Sequence, residues 1–341
     1  RISIAGQSGI SNASWTNTSD PENIFDTFNI KSENAASIGQ VHRGTKNGKK
    51  LAVKIQYPGV ANSISSDLSI VKPIALKIFN LKGKDTEKYF QEVEYKLLEE
   101  TDYNIELKNS QFISKACKKI PNLIFPNYYP ELTTSKTLTM DWMEGIHLSE
   151  FVKKNKTKTK NNNLGQTLWD FYMFQIHGLK KVQADPHPGN FLISKKRSLI
   201  AIDFGCIKDI PEEFYVPYFE LSKKENIEDL TIFKGLLKEL EILTPEDTDE
   251  EATFFMSLFQ KMMRLFTLPF QSKYFDFSNQ LFWEKISGLL NEFTDDPKLR
   301  KLNGNRGSKH FIYINRTFFG LYHLLHDLNA KIKTDSYQKY I

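Results

Sequence analysis

Cysteine is scarce in this chain of 341 residues: there are two, Cys117 and Cys206, far apart. Two distant cysteines make neither a disulfide framework nor a zinc spacing, so a reducing compartment, the cytoplasm, is the default expectation. Long apolar stretches are missing as well. No run of about 18 uncharged apolar residues occurs, so a spanning helix is not expected. Charge of one sign is weak: 46 Lys and Arg against 41 Asp and Glu leave +5. That suits a nucleotide or an anionic surface but does not support a nucleic-acid partner, and no basic stripe interleaved with aromatics exists. The densest basic run, Lys153 to Lys160, reads as a solvated loop. Arg1 rather than Met stands first, with no basic and apolar leader behind it, so the chain reads as a fragment. No internal repeat is visible.

What is present is ordinary core material, with 40% hydrophobic residues and 26 Phe, enough for one large domain or two lobes. Residues 1–20, rich in Ser, Asn and Gly, read as a poorly ordered arm. Pro21 to Phe28 fits a short helix. Two strand-like runs follow, Ile38 to Thr45 and Lys50 to Gln56. The Asn47-Gly48 pair between them signals a hairpin, because both residues tolerate positive φ. Alternation puts Leu51, Val53 and Ile55 on one face and Ala52, Lys54 and Gln56 on the other. Asp85 can cap a long helix reaching about Lys119. A second hairpin is expected from Tyr129–Thr133 and Thr137–Trp142, a helix over Leu164–Val182, and a third hairpin from Phe191–Ile193 and Leu199–Asp203. Beyond Pro211 the spacing predicts helices over about 212–241, 249–268, 277–294 and 309–332. The expected fold is α+β. It has a strand-rich lobe over residues 1–141 and a helical lobe over 142–341, joined near 141–145 with a ligand cleft between them.

The chemistry concentrates in Ala184-Asp185-Pro-His-Pro-Gly-Asn190 and the downstream Leu199-Ile-Ala-Ile-Asp203-Phe-Gly205. Asp185 and Asn190 share a Pro/Gly-punctuated loop, and a short hairpin delivers Asp203 at the end of an apolar strand. Phosphoryl transfer needs this set: one carboxylate to orient the acceptor, and an amide oxygen and a second carboxylate to hold Mg²⁺. Lys54, mid-strand in Ala52-Val53-Lys54, has the spacing of a lysine that grips nucleotide phosphates. Its helix partner is sought among Glu100, Asp102 and Glu106. Asp102 and Glu106 would share a face four residues apart. The nucleotide loop is expected at Ala35-Ala36-Ser37-Ile-Gly-Gln-Val41. Alanine there keeps the small size of glycine but gives up easy positive φ, so the loop should be stiffer than a glycine-rich one. His187 is expected to fix the Asp185 loop by hydrogen bonding. Cys206, Trp142 and Trp169 are expected to pack.

These segments together resemble the UbiB family of atypical kinases, the aarF-domain proteins linked to ubiquinone biosynthesis. The matching pieces are Ala35-Ala36-Ser37-Ile-Gly-Gln-Val-His42, Val53-Lys54-Ile-Gln-Tyr-Pro-Gly-Val60, Glu99-Glu-Thr-Asp-Tyr103 with Glu106 and Asn109, Asp185–Asn190 and Asp203-Phe-Gly205, over about residues 22–215. The resemblance implies a bilobal protein-kinase-like fold that binds ATP with Mg²⁺ and acts as a phosphotransferase or ATPase. It places Lys54 on the phosphates with Glu106 as its partner, Asp185 in the catalytic position, and Asn190 and Asp203 on the metal. Glu100 and Asp102 would form the family's Glu-x-Asp regulatory motif. Ala35, Ala36, Ser37, Met140, Trp142 and Met143 would contact the nucleotide, the last three at an inter-lobe hinge. It further implies a role in quinone or isoprenoid lipid metabolism, with lipid intermediates as partners and a peripheral place on the inner membrane.

The sequence departs from the family in two places. Asn34 replaces the first of three alanines before Ser37. The upstream Lys-x-Gly-Gln segment that folds over the site has only Ala5-Gly6-Gln7 as a counterpart, with Ile4 in place of Lys. That match is read as chance and the segment as absent. A small-molecule phosphotransferase of the aminoglycoside or choline kinase type would share the Asp185–Asn190 loop, and a nucleotide-binding scaffold without turnover would share the pocket. The Phe- and Met-rich run Ala252–Phe266 fits either a core helix or a membrane-surface helix.

Overall fold

A computed structural model describes residues 21–78, 90, 94, 97–154, 161–295 and 307–341. The arm at 1–20, the helix start at Asp85 and the 155–160 part of the basic run lie outside the described residues. The backbone forms two units. One comprises Arg1–Lys118, Ile124–Gly145 and Ile200–Cys206; the other comprises Lys119–Leu123, Ile146–Leu199 and Ile207–Ile341.

The first unit is built on an antiparallel sheet. After a one-turn helix α1 (Pro21–Ile24) come β1 (Thr27–Phe28), β2 (Asn34–Ala35), β3 (Gly39–Lys46) and β4 (Lys49–Gln56). The expected helix to Phe28 stops at Ile24, because the edge of β3 takes Thr27 and Phe28 into strand pairing with Thr45 and Gly44. Between β3 and β4, Asn47 and Gly48 both have positive φ (51° and 74°), which brings Lys46 opposite Lys49 and closes the two-residue hairpin. The sequence expected a nucleotide loop at Ala35–Val41; it is a tight hairpin turn in which Ala36 N–H donates to Gly39 O at 2.8 Å. β4 is central, between β3 and β5 (Thr137–Asp141), and is buried on both faces. Leu51, Val53 and Ile55 pack with Phe25, while Lys54 and Gln56 turn the other way.

Three further differences from expectation fall in this unit. Helix α2 (Val60–Ile78) was not anticipated. Its apolar signal is diluted by Ser63, Ser66 and Ser69, each of which bonds the carbonyl three residues earlier. The long helix expected from Asp85 is broken at Asp102, whose backbone is extended (φ −108°, ψ 98°) and whose side chain caps α3 (Tyr103–Cys117) by accepting from Asn104 N at 2.9 Å. Asp102 is therefore outside the helix and does not share a helical face with Glu106. The first arm of the second hairpin is a 3₁₀ turn over Pro130–Leu132, tied to the strand by isolated bridges Tyr128–Met140 and Thr134–Thr137. Pro130 has no N–H to give a ladder.

The second unit starts with β6 (Ile146–His147), α4 (Leu148–Lys154) and α5 (Asn162–Met173). The helix expected to Val182 changes to a π-helical turn over Phe174–Leu179 and ends at Lys180, whose φ of 52° is left-handed. β7 (Lys181–Gln183) follows because its backbone pairs with β10 (Ile207–Asp209). Between them, β8 (Phe191–Ile193) pairs with β6, and β9 (Leu199–Ala201) returns the chain to the first unit. The helix expected over 212–241 is three: α6 (Glu212–Leu221), α7 (Lys224–Glu228) and α8 (Leu230–Glu239). The last is restarted by Asp229, which caps Thr231 and Ile232. α9 (Asp249–Phe266) opens on a Thr248–Glu251 capping box and buries Phe255, Phe259 and Met263, a helical stripe that makes it a core helix. After β11 (Tyr274–Asp276) and α10 (Gln280–Asp295), α11 (Lys309–Asp327) ends five residues before the expected 332, and β12 (Lys331–Lys333) pairs with β11. Trp169 is fully buried against Phe270 and Phe277, as expected of a packing residue. Among the described residues no helix is long and apolar enough to cross a membrane.

Candidate functional site

Lys54 reaches away from the Leu51/Val53/Ile55 face because alternation along β4 requires it. Its ammonium lies 2.9 Å from both carboxylate oxygens of Glu106 and 3.2 Å from Asp203 Oδ2. Glu106 is in the first turn of α3, and that turn is fixed by the Asp102 cap and by Tyr103 N–H donating to Ser135 O. Asp203 follows β9, and its other oxygen accepts from Gly205 N–H at 3.0 Å. Three residues that are 149 apart at the extremes thus meet around one cation.

The electrostatics of this group are unbalanced. Lys54 and Glu106 expose only 7% and 6% of their side chains, while Asp203 is half-buried. Burial alone would strip the proton from Lys54, but the charges of Asp203 and Glu106 outweigh it and raise its pKa. Burial pushes the Glu106 carboxyl up to about 7 against the pull of Lys54, and the charge of Asp203 adds to the push. Burial opposes ionisation of Asp203 too, yet Lys54 and the Gly205 N–H hold it below its ordinary value. One ammonium faces two carboxylates, so a fully ionised group carries one excess negative charge.

In the second unit, Gln183 in β7 is locked by Tyr172 OH and by Gln175 Oε1, which accepts from its N–H. That fixes the entry to the Asp185–Asn190 loop. The loop folds on itself: His187 N–H donates to Asp185 O, and His187 Nδ1 accepts from Gly189 N–H at 3.1 Å. Asn190 Nδ2 donates to Asp185 O at 2.8 Å and to Asp185 Oδ2 at 3.3 Å. His187 thus shapes the loop, as expected. The structure adds Arg316 of α11, which the sequence reading missed. Its guanidinium donates to Asp185 Oδ1 at 3.0 Å. One turn further on, Gly320 lies against Pro186, where a β-carbon would come within 2.3 Å of Pro186 Cγ. Nothing in the sequence tied that face of α11 to a loop 131 residues away.

The remaining predicted residues are placed as follows. Ala35 and Ser37 are exposed and Ala36 is half-buried in the β2–β3 turn. Met140 is buried opposite Ala52, and Trp142 N–H donates to Lys50 O while its ring lies under the Arg43 guanidinium at 4.7 Å. Met143 is half-buried. The charge of Glu100 adds a little to the rise of the Glu106 pKa. Asp102 spends its carboxylate on its own helix. Cys206 is a half-buried thiol outside any disulfide. None of the predicted residues lines the cavity of about 670 Å³ around Asn122, Asn161, Gln166 and Arg197. Gln166 there is committed to β12, bonding both N–H and O of Lys333.

Residues 13–232 match the ABC1 atypical kinase-like domain. The mitochondrial atypical kinase COQ8B of Danio rerio is 30% identical over 264 residues, 75% of this chain and 41% of the relative. The mitochondrial atypical kinase COQ8 of Saccharomyces cerevisiae is 30% identical over 274 residues, 76% of this chain and 52% of the relative. The chain therefore spans about half the length of these curated relatives. Among solved structures, the complex of Rv3197 with erythromycin from Mycobacterium tuberculosis superposes with a TM-score of 0.69 at 20% identity, over 92% of this chain and 77% of that one. The fold is the bilobal kinase-like α+β architecture that the sequence resemblance implied.

Proposed function

Because this chain belongs to the ABC1 atypical kinase-like family, we propose that it binds adenosine triphosphate with Mg²⁺ and transfers or hydrolyses the terminal phosphate. The observation that carries the reading is the Lys54–Glu106–Asp203 group. Among the described residues one ammonium bridges these two carboxylates, which leaves negative charge beside oxygen donors, and that fits a hard divalent cation. In this reading Lys54 binds the phosphates and Glu106 keeps it extended. Asp203 and Asn190 would hold Mg²⁺, which when bound offsets charge on the phosphate oxygens. Asp185 orients the attacking hydroxyl or water and takes its proton, while Arg316 and Asn190 fix the carboxylate's direction. Ala35, Ala36 and Ser37 would run along the phosphates, and Met140, Trp142 and Met143 would meet the base. Glu100 and Asp102 would serve as the regulatory Glu-x-Asp motif; the cap that Asp102 supplies to α3 links that motif to the position of Glu106.

The acceptor class belongs to the same proposal. Family membership favours quinone or isoprenoid lipid intermediates met peripherally at a membrane surface. ADP release tests the reading. Asp185→Ala should slow it by about a hundredfold or more, the usual contribution of a positioned proton acceptor. Equal rates for the variant and the wild type would leave a nucleotide-binding scaffold without turnover.

A further inference from the structure

Tyr103 opens α3 beside Lys54, with its side chain wholly buried. Its ring centre lies 5.0 Å from Lys54 Nζ, a cation–π distance. Among the described residues its hydroxyl has no hydrogen-bond partner. The hydroxyl sits 3.0 Å from the point that a β-carbon on Gly39 would occupy, two residues after Ser37 and at the first residue of β3. An unpaired buried hydroxyl is destabilising. Phenylalanine would fill the same space, stack equally on Lys54 and carry no such penalty. A hydroxyl bounded by the turn expected to cradle phosphates and by the lysine expected to grip them marks a place for an oxygen acceptor.

We propose that the Tyr103 hydroxyl donates a hydrogen bond to a phosphate oxygen of the bound nucleotide, with the Ala36–Gly39 turn displaced to admit it. Tyr103 is then a nucleotide-binding residue that adds a neutral donor next to the Lys54 charge. The inference rests on the Mg-ATP reading above. Its chemistry is complementary: a phosphate oxygen is an acceptor only, and a phenol beside a cation is a donor that brings no further negative charge into a group already in excess of it.

Calorimetric titration of Mg-ATP into wild type, Tyr103→Phe and Asp203→Asn tests it. Loss of one hydrogen bond to a charged group predicts an affinity for Tyr103→Phe that is about tenfold or more weaker. The melting temperature of the ligand-free variant should be unchanged or higher, because the unpaired group is gone. An affinity within twofold of wild type, with Asp203→Asn impaired, overturns this inference alone; that is also the result expected if the hydroxyl only holds a buried water. Wild type that takes up no Mg-ATP overturns both readings. Should Tyr103→Phe melt early, 3-fluorotyrosine at position 103 reads the same contact: a fluorine resonance that moves on adding Mg-ATP supports it, and one that stays put overturns it.

Discussion

Replacing Lys54 by Met removes the ammonium that Glu106 and Asp203 share and roughly keeps the side-chain volume. At the observed separations of 2.9 and 3.2 Å, each attraction is worth ~5–6 kcal/mol at an effective dielectric constant near 20, before desolvation is subtracted. After that offset, breaking a buried pair by removing one partner costs about 3–5 kcal/mol. Half-buried Asp203 keeps some water and pulls the estimate toward the lower end. The cost must also depend on pH. Glu106 ionises at about 7 in the intact group; without Lys54 it ionises higher still. A carboxyl whose folded pKa lies above its unfolded one loses stability as pH rises between the two values. Above pH 7 the wild type has finished losing and the variant has not, so the gap between them should widen by about 1.4 kcal/mol per pH unit. Glu106→Gln in the Lys54→Met background removes the titrating group, so it should recover roughly 2 kcal/mol at pH 8 and abolish the widening. Urea unfolding followed by hydrogen exchange at β4 and α3 amides reads this unit directly. Additive single and double variants, with a gap independent of pH, would refute the electrostatic account of the group.

The other predictions concern the second unit. Arg316→Gln should lower ADP release about tenfold or more while ATP affinity stays within twofold, because Arg316 orients Asp185 and is not assigned to the nucleotide; Arg316→Lys should recover part of the rate, and an unchanged rate for Arg316→Gln would contradict the role. Gly320→Ala should act the same way by pressing on Pro186, again with turnover falling and affinity steady. His177 is buried, with Nδ1 on Tyr215 OH, and burial followed by the charge of Lys180 drops its pKa to about 3. The unfolded chain takes up that proton near 6.5 and the folded one does not, so stability is lost as pH falls through that value, by about 2 kcal/mol at pH 5. His177→Gln should flatten the acid limb of a pH–stability curve, and an unaltered limb would contradict it.

Local rules made the β3–β4 hairpin and the direction of Lys54 readable: Asn47-Gly48 allows one two-residue turn, and period-two alternation sends Lys54 away from the core face. Resemblance to a kinase-like family chose Glu106 from three acids, and it is Glu106 that touches Lys54. What spacing could not show was decided by longer-range demands. Asp102 caps a helix because its backbone is extended, although a run of acids there reads as one wet helical face. Lys180 and Val182 leave their helix because β7 finds a partner in β10, more than twenty residues on. α2 hid behind serines that satisfy their own helix. Arg316 carries no local pattern that marks it, and only the fold brings α11 to the Asp185 loop.

The claim beneath all of this is that the excess negative charge around Lys54 exists to receive a cation together with a polyphosphate. Titrating ATP into the wild-type chain with Mg²⁺, and again after the metal is chelated, measures it most directly. The account predicts uptake of one nucleotide per chain, weakened about tenfold or more by chelation. No uptake, or the same affinity with and without Mg²⁺, would contradict it.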